Sequence, residues 1–91
     1  MNKYIKINPN DNVCVAIENL SPGDIVNVEG TPVEIKNPIE TGHKFAIKEI
    51  KTDENVVKYG YPIGHATTDI HTGEHVHTQN VKTNLHDNLQ Y

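Results

Sequence analysis

Histidine offers this chain most of its chemistry. Six occur in 91 residues, and four of them, His65, His71, His75 and His77, lie between positions 65 and 77. On an extended segment His75 and His77 point to one face, with about 7 Å between their Cα atoms at the usual strand rise. That spacing lets two imidazoles share one metal ion or one substrate, and it is also the pattern of a polar strand face turned to water. His43 precedes Lys44 in Thr41-Gly42-His43-Lys44. An imidazole and an ammonium side by side can both donate to a carboxylate. His65 falls in Pro62-Ile63-Gly64-His65-Ala66-Thr67-Thr68-Asp69, which reads as a loop. Its glycine permits close backbone approach, and its hydroxyls and carboxylate suit either a hydroxy acid or a structural turn. His71 and His75 flank Thr72-Gly73-Glu74 and read as solvent residues. No cysteine pair, HExxH, phosphate loop or nucleophile elbow is present, so no complete catalytic constellation is visible.

The elements that must carry these residues are strands. Apolar residues alternate at period two along residues 4–7, 25–28, 33–36, 45–50, 55–59 and 76–81, with a further apolar run at 13–17. Turn clusters separate them at Asn8-Pro9-Asn10-Asp11, Ser21-Pro22-Gly23-Asp24 and Glu29-Gly30-Thr31-Pro32. Sustained helical period is missing, so the expected fold is mainly β, a single small domain with short strands and at most short helical turns. Residues 1–82 form the expected domain. Residues 83–91 read as a polar tail, mobile or docked on a partner.

The strands are entered by a repeated device. Ala46, Glu49, Ile50, Thr52, Glu54 and Val56 recur as Ala66, Asp69, Ile70, Thr72, Glu74 and Val76. A fainter copy is Ala16, Asn19, Leu20, Pro22, Asp24 and Val26. Each copy reads as an aliphatic anchor, a tight turn, an acid that accepts backbone N–H groups of the turn, and an inward valine.

Bulk composition narrows the partners. The formal charge is −4, and every basic residue is lysine. Lacking the arginine fork that grips phosphate and base edges, the chain is a poor candidate for nucleic acid, and anionic membranes are disfavoured by the same charge. The N-terminal residues alternate rather than forming an apolar run, and no stretch is long enough to span a bilayer, so a cytoplasmic location is expected. Cys14, the single cysteine, sits among Val13, Val15 and Ala16 and reads as a buried, unreactive thiol. Hydrophobic residues make up only 35%, which suits a domain whose core or surface is completed by a partner.

Ordered motifs then point to a family. Gly42-His43-Lys44-Phe45-Ala46, Lys58-Tyr59-Gly60-Tyr61-Pro62-Ile63-Gly64-His65-Ala66, Asp69-Ile70 and Gly73-Glu74-His75-Val76-His77-Thr78-Gln79-Asn80 together resemble the N-terminal domain of altronate and galactarate dehydratases. The small, alpha subunit of sulfolactate sulfo-lyase is similar. This is the SAF domain, of β-clip fold, and the resemblance runs from about Tyr4 to Leu85. It implies a hydro-lyase or sulfo-lyase in which a separate large catalytic subunit removes water or sulfite from a sugar acid or hydroxy acid. It implies a divalent metal, iron or manganese, held mostly by that partner. Residue by residue, it implies His43 and His77 as catalytic groups or metal ligands, and Lys44, His65 and Asn80 as substrate-binding groups. Where relatives often carry a second histidine this chain has Gln79, which hydrogen-bonds but cannot titrate and is a poor metal ligand.

The leading expectation is therefore the small subunit of such a lyase, inactive alone, with homo-oligomers also open. The alternative is a stand-alone binding module for a small hydroxy acid or divalent metal. A structural or assembly domain ranks behind both.

Overall fold

The structure, a computed structural model, describes residues 3–6 and 8–83. Among them nine strands and no helix occur: β1 (Tyr4–Ile5), β2 (Val13–Ala16), β3 (Ile25–Val28), β4 (Thr31–Glu34), β5 (Lys44–Ala46), β6 (Asn55–Lys58), β7 (Tyr61–Ala66), β8 (His75–Val76) and β9 (Val81–Lys82). The expected mainly-β domain is what forms. An antiparallel sheet of order β1-β2-β5-β8 runs through the middle, with a β3-β4 hairpin and a β6-β7-β9 sheet beside it.

The two central strands divide the core. Residues alternate across a strand. Cys14, Ala16 and Phe45 accordingly join one apolar cluster with Leu20, Val33 and Ile39, while Val13 and Ala46 join a second with Ile50, Val56 and Ile70. Cys14 is 1% exposed, and burial pushes its thiol up to about 12, so it is inert at neutral pH.

The repeat is structural, and it has four copies where three are legible. The added copy is Ile35, Ile39, Thr41, Gly42, His43 and Phe45. Four matching turns result, at 21–24, 40–43, 51–54 and 71–74. In each, the amide of the fourth residue donates to the carbonyl of the first: Asp24 to Ser21, His43 to Glu40, Glu54 to Lys51, Glu74 to His71. The third residue takes a left-handed conformation, with φ of 94° at Gly23, 88° at Gly42, 72° at Asp53 and 90° at Gly73. The turns then exchange reciprocal backbone bonds with Ile35, Ala16, Ala66 and Ala46 respectively. The aliphatic anchors pair as Leu20↔Ile39 and Ile50↔Ile70. The molecule is thus two similar halves, each with two turns, one hairpin and one apolar cluster.

Three turns close as the sequence suggests. Asp24, Glu54 and Glu74 accept the amides of Ser21, Lys51 and His71 at 2.8, 2.7 and 2.6 Å. The fourth carries His43 at the position of the acid, which is why its kinship is hidden in the sequence.

Several element assignments are corrected. The stretch read as a loop around His65 is β7, because the left-handed pair Tyr59 and Gly60 (φ 56° and 78°) forms a tight hairpin that returns the chain along β6. Glu29 and Gly30 (φ 53° and 88°) do the same between β3 and β4, so that second strand begins at Thr31 rather than Val33. The single strand expected over 76–81 is β8 and β9 separated by a turn at 77–80. The strand expected over 45–50 ends at Ala46, where the chain departs toward the Ile50↔Ile70 bridge. Ile7 and the tail beyond Thr83 lie outside the described residues. Among the described residues no helix is long and apolar enough to cross a membrane.

Candidate functional site

The pairing of β5 with β8 assembles the site. Its register is Lys44↔Val76 and Phe45↔His75. Continued by one pair, it sets His43, the last residue of its turn, opposite His77, the first residue after β8. Strand alternation places His43, Phe45, His75 and His77 on one face, with Lys44 and Val76 on the other.

Three imidazoles meet there. Ring centroids are 5.1 Å apart for His43 and His75, 5.5 Å for His43 and His77, and 5.9 Å for His75 and His77. The first pair is stacked, at an interplanar angle of 20°. It also joins through nitrogen, with His43 Nδ1 2.9 Å from His75 Nε2. Gln79 Nε2 lies 3.0 Å from the other nitrogen of His75, Nδ1.

The turn after β8 is built to hold this group. The Asn80 side chain is nearly buried, and both ends of its amide are used: Oδ1 accepts from His77 N at 3.0 Å, and Nδ2 donates to His75 O at 2.8 Å. On the other side Asn37 Oδ1 accepts from His75 N at 2.9 Å. Asn80 therefore shapes the backbone that carries both histidines.

Electrostatics favour neutral rings over a cation. Lys44 is 4% exposed. Burial and the neighbouring Lys58 pull its ammonium down to about 8, so at pH 7 it stays mostly charged. Burial first, then the surrounding His43, His77 and Lys44, lowers His75. Burial first, then Lys44 and His43, lowers His77. His75 and His77 are accordingly proton acceptors at neutral pH, beside an ammonium.

An open cleft of about 670 Å³ adjoins these groups and is lined by Asn37, Asp69, His71, Glu74, His75 and Gln79 among others. Its polar rim offers hydroxyl-binding acids next to the imidazoles. A smaller cleft of about 310 Å³, bordered by Lys6, Glu29 and Lys48, includes none of the histidines.

A resident metal does not fit the described residues alone. Among them no group of three or more His, Cys, Asp or Glu is placed to hold one. The cause lies in the ring contacts: His43 and His75 turn nitrogens toward each other, and Gln79 occupies the remaining nitrogen of His75. Three touching imidazoles are not three lone pairs aimed at one point.

The structure thus gathers His43, His77 and Asn80 at one place, and sets Lys44 on the opposite face of β5. His65 stands in β7, opposite Asn55 and Lys82, in a different sheet from His43 and His75. His75 is the residue the sequence misplaces: it is half-buried and central to the cluster rather than a solvent residue. The signal was present in its period-two spacing from His77. His71 is exposed as expected, with Nδ1 2.7 Å from Glu49 Oε1.

A small mainly-β domain that clusters three histidines, one of them lining an open cleft, is the class defined here. Residues 2–84 match the altronate/galactarate dehydratase SAF domain, and the chain belongs to that family. It is similar to altronate dehydratase of Bacillus subtilis strain 168, 46% identical over 87 residues that cover 96% of this chain. Altronate dehydratase of Escherichia coli K12 is 47% identical over 89 residues, 98% of this chain. The chain spans 18% of the length of each of these relatives. The (2R)-sulfolactate sulfo-lyase subunit alpha of Chromohalobacter salexigens is 50% identical over 50 residues, 55% of this chain and 53% of that one.

Proposed function

We propose that this domain serves as the small, alpha-type subunit of a cytoplasmic sugar-acid hydro-lyase or related sulfo-lyase, contributing its histidine face to a site completed by a large catalytic partner. The observation that carries this reading is the convergence of His43, His75 and His77 on one face, where His75 lines an open cleft. Support also comes from the relatives, of which this chain covers only 18% in the altronate dehydratases, and from those named as an alpha subunit.

The chemistry asked of such a face is limited. Eliminating water or sulfite beta to a carboxylate removes the alpha proton and builds negative charge on the carboxylate oxygens. His77, neutral at pH 7, is suited to accept a proton at a ring nitrogen. Lys44, still mostly charged at pH 7, adds positive potential from the opposite face of β5. His43 is the second catalytic group. The role of His65 in substrate binding rests on the family motif, since it stands in a separate sheet. Any divalent metal takes its ligands mainly from the partner, with His43 and His77 able to add at most a pair.

Affinity capture of the tagged chain from its native cell should recover a protein several times larger. The pair should dehydrate altronate or a related sugar acid. Absence of any such complex, or a complex inert on all sugar and sulfo acids, removes the reading.

A further inference from the structure

The amide nitrogen of Gln79 faces a histidine. With the Gln79 amide oriented so that Nε2 lies 3.0 Å from His75 Nδ1, the amide nitrogen donates and that ring nitrogen is bare. A neutral imidazole with a bare Nδ1 carries its hydrogen on Nε2. His75 Nε2 therefore donates to the ring nitrogen it meets at 2.9 Å, His43 Nδ1. That contact makes His43 Nδ1 an acceptor and places the hydrogen of His43 on Nε2. The direction of the chain from Gln79 through His75 to His43 is set at its first member, because the two contacts share one ring and each ring holds one hydrogen.

We propose that Gln79 is a positioning residue that, through His75, fixes His43 as a neutral imidazole presenting Nε2–H to an anionic oxygen of the substrate, a carboxylate or enolate oxygen of a hydroxy acid. The proposal rests on reading this face as a sugar-acid site. It also divides the work of the histidines. A neutral imidazole that gave up its N–H would become an imidazolate, so His43 binds and polarises oxygen rather than transferring a proton. Both nitrogens of His43 are then spent, one accepting and one donating, so on this inference His43 drops out of the pair of metal ligands named above and only His77 keeps a lone pair for a metal. The absence of a three-donor metal group among the described residues agrees with this. Acid–base work falls to His77.

The test is nitrogen-15 NMR of the histidine rings in the 91-residue chain, at a pH where the rings are neutral. In the native chain His43 and His75 should each show Nε2 as the N–H nitrogen and Nδ1 as the bare one. In Gln79→Glu only acceptor oxygens face His75 in the carboxylate form, so the N–H should move to Nδ1 on both rings. Gln79→Met should abolish the fixed preference at both. An N–H at Nδ1 of either ring in the native chain overturns the proposal, as does a Gln79→Glu spectrum in which His43 is unchanged. These signals are independent of activity. A failed reconstitution with the expected tautomers removes the functional reading alone, whereas an active complex with Nδ1–H at His43 removes this inference alone.

Discussion

His43 Nδ1 and His75 Nε2 lie 2.9 Å apart although 32 residues separate them in the chain. The contact exists because β5 and β8 pair at Lys44↔Val76 and Phe45↔His75, which sets His43 diagonally across from His75. Phe45 is fully buried, so this pairing is anchored in the core and the rings have little freedom to part.

His77→Ala should leave the fold intact and cripple the reconstituted enzyme. The side chain follows β8 and only touches the other rings, while the backbone amide that Asn80 grips is retained. Loss of an acid–base group costs about 10²- to 10⁴-fold in turnover. Steady-state kinetics alongside a thermal melt checks this, and unimpaired turnover would take His77 out of the site.

Lys44→Met should leave the stability of the domain nearly unchanged while weakening the reconstituted enzyme. Holding a buried ammonium down from 10.5 to about 8 reflects a cost on the order of 3 kcal/mol for the charged form. Methionine is of similar length and avoids that cost, but it also gives up the interaction the buried ammonium makes, so the net change should stay within about 1 kcal/mol. Urea unfolding at pH 7 measures it; a large loss of stability would show that the ammonium holds the fold rather than serving the site.

Acid should weaken the domain before it reaches the carboxylates. His75 and His77 are held below 6.5, so as the pH falls through 6.5 the unfolded chain binds protons that the folded chain refuses. Stability therefore declines with falling pH in that window. His71 works in the other direction: Glu49 raises it, and its contribution is complete below 6.5 and fades as pH rises through its folded value. Glu49, lowered to about 2 chiefly by the Thr72 amide, contributes above 4.5 and is lost as pH drops toward 2. Denaturation midpoints between pH 7.5 and 5 should fall in the native chain, fall more steeply in His71→Asn, and flatten in His75→Gln. A steeper decline in His75→Gln would contradict the assignment.

Two glycines in equivalent turns should respond unequally. Both are left-handed, with φ of 94° at Gly23 and 90° at Gly73. A Cβ on Gly23 would meet open space, whereas one on Gly73 would run into the Glu34 carbonyl. Gly23→Ala should cost about 1 kcal/mol from backbone strain. Gly73→Ala should cost on the order of 3 kcal/mol or more, since backbone must move as well. Comparing the two melting temperatures decides it; equal losses would mean that the end of β4 at Glu34 yields freely.

Much of this architecture was legible in the residues. Period-two patterning found the strands that lie in the core, and the turn motif found three of the capping acids, Asp24, Glu54 and Glu74. The failures have physical causes. Residues 61–66 mix glycine and proline with polar groups and look like a loop, but a tight turn at Tyr59-Gly60 and pairing on both edges make them a strand. His75 looked exposed because its burial comes from His43 and Gln79, a contact across strands that spacing alone does not show. The grip of Asn80 on the backbone of His75 and His77 is likewise a contact within the folded turn that the sequence does not show.

The four-turn plan has a consequence for how such a face could arise. Each turn is secured by its left-handed third residue and by reciprocal backbone bonds, so the acid at the fourth position is an extra tie rather than the foundation. A doubled scaffold can release one such position from folding duty without losing its shape. In this chain the released position is His43, and novelty enters at the single turn where the internal likeness lapses.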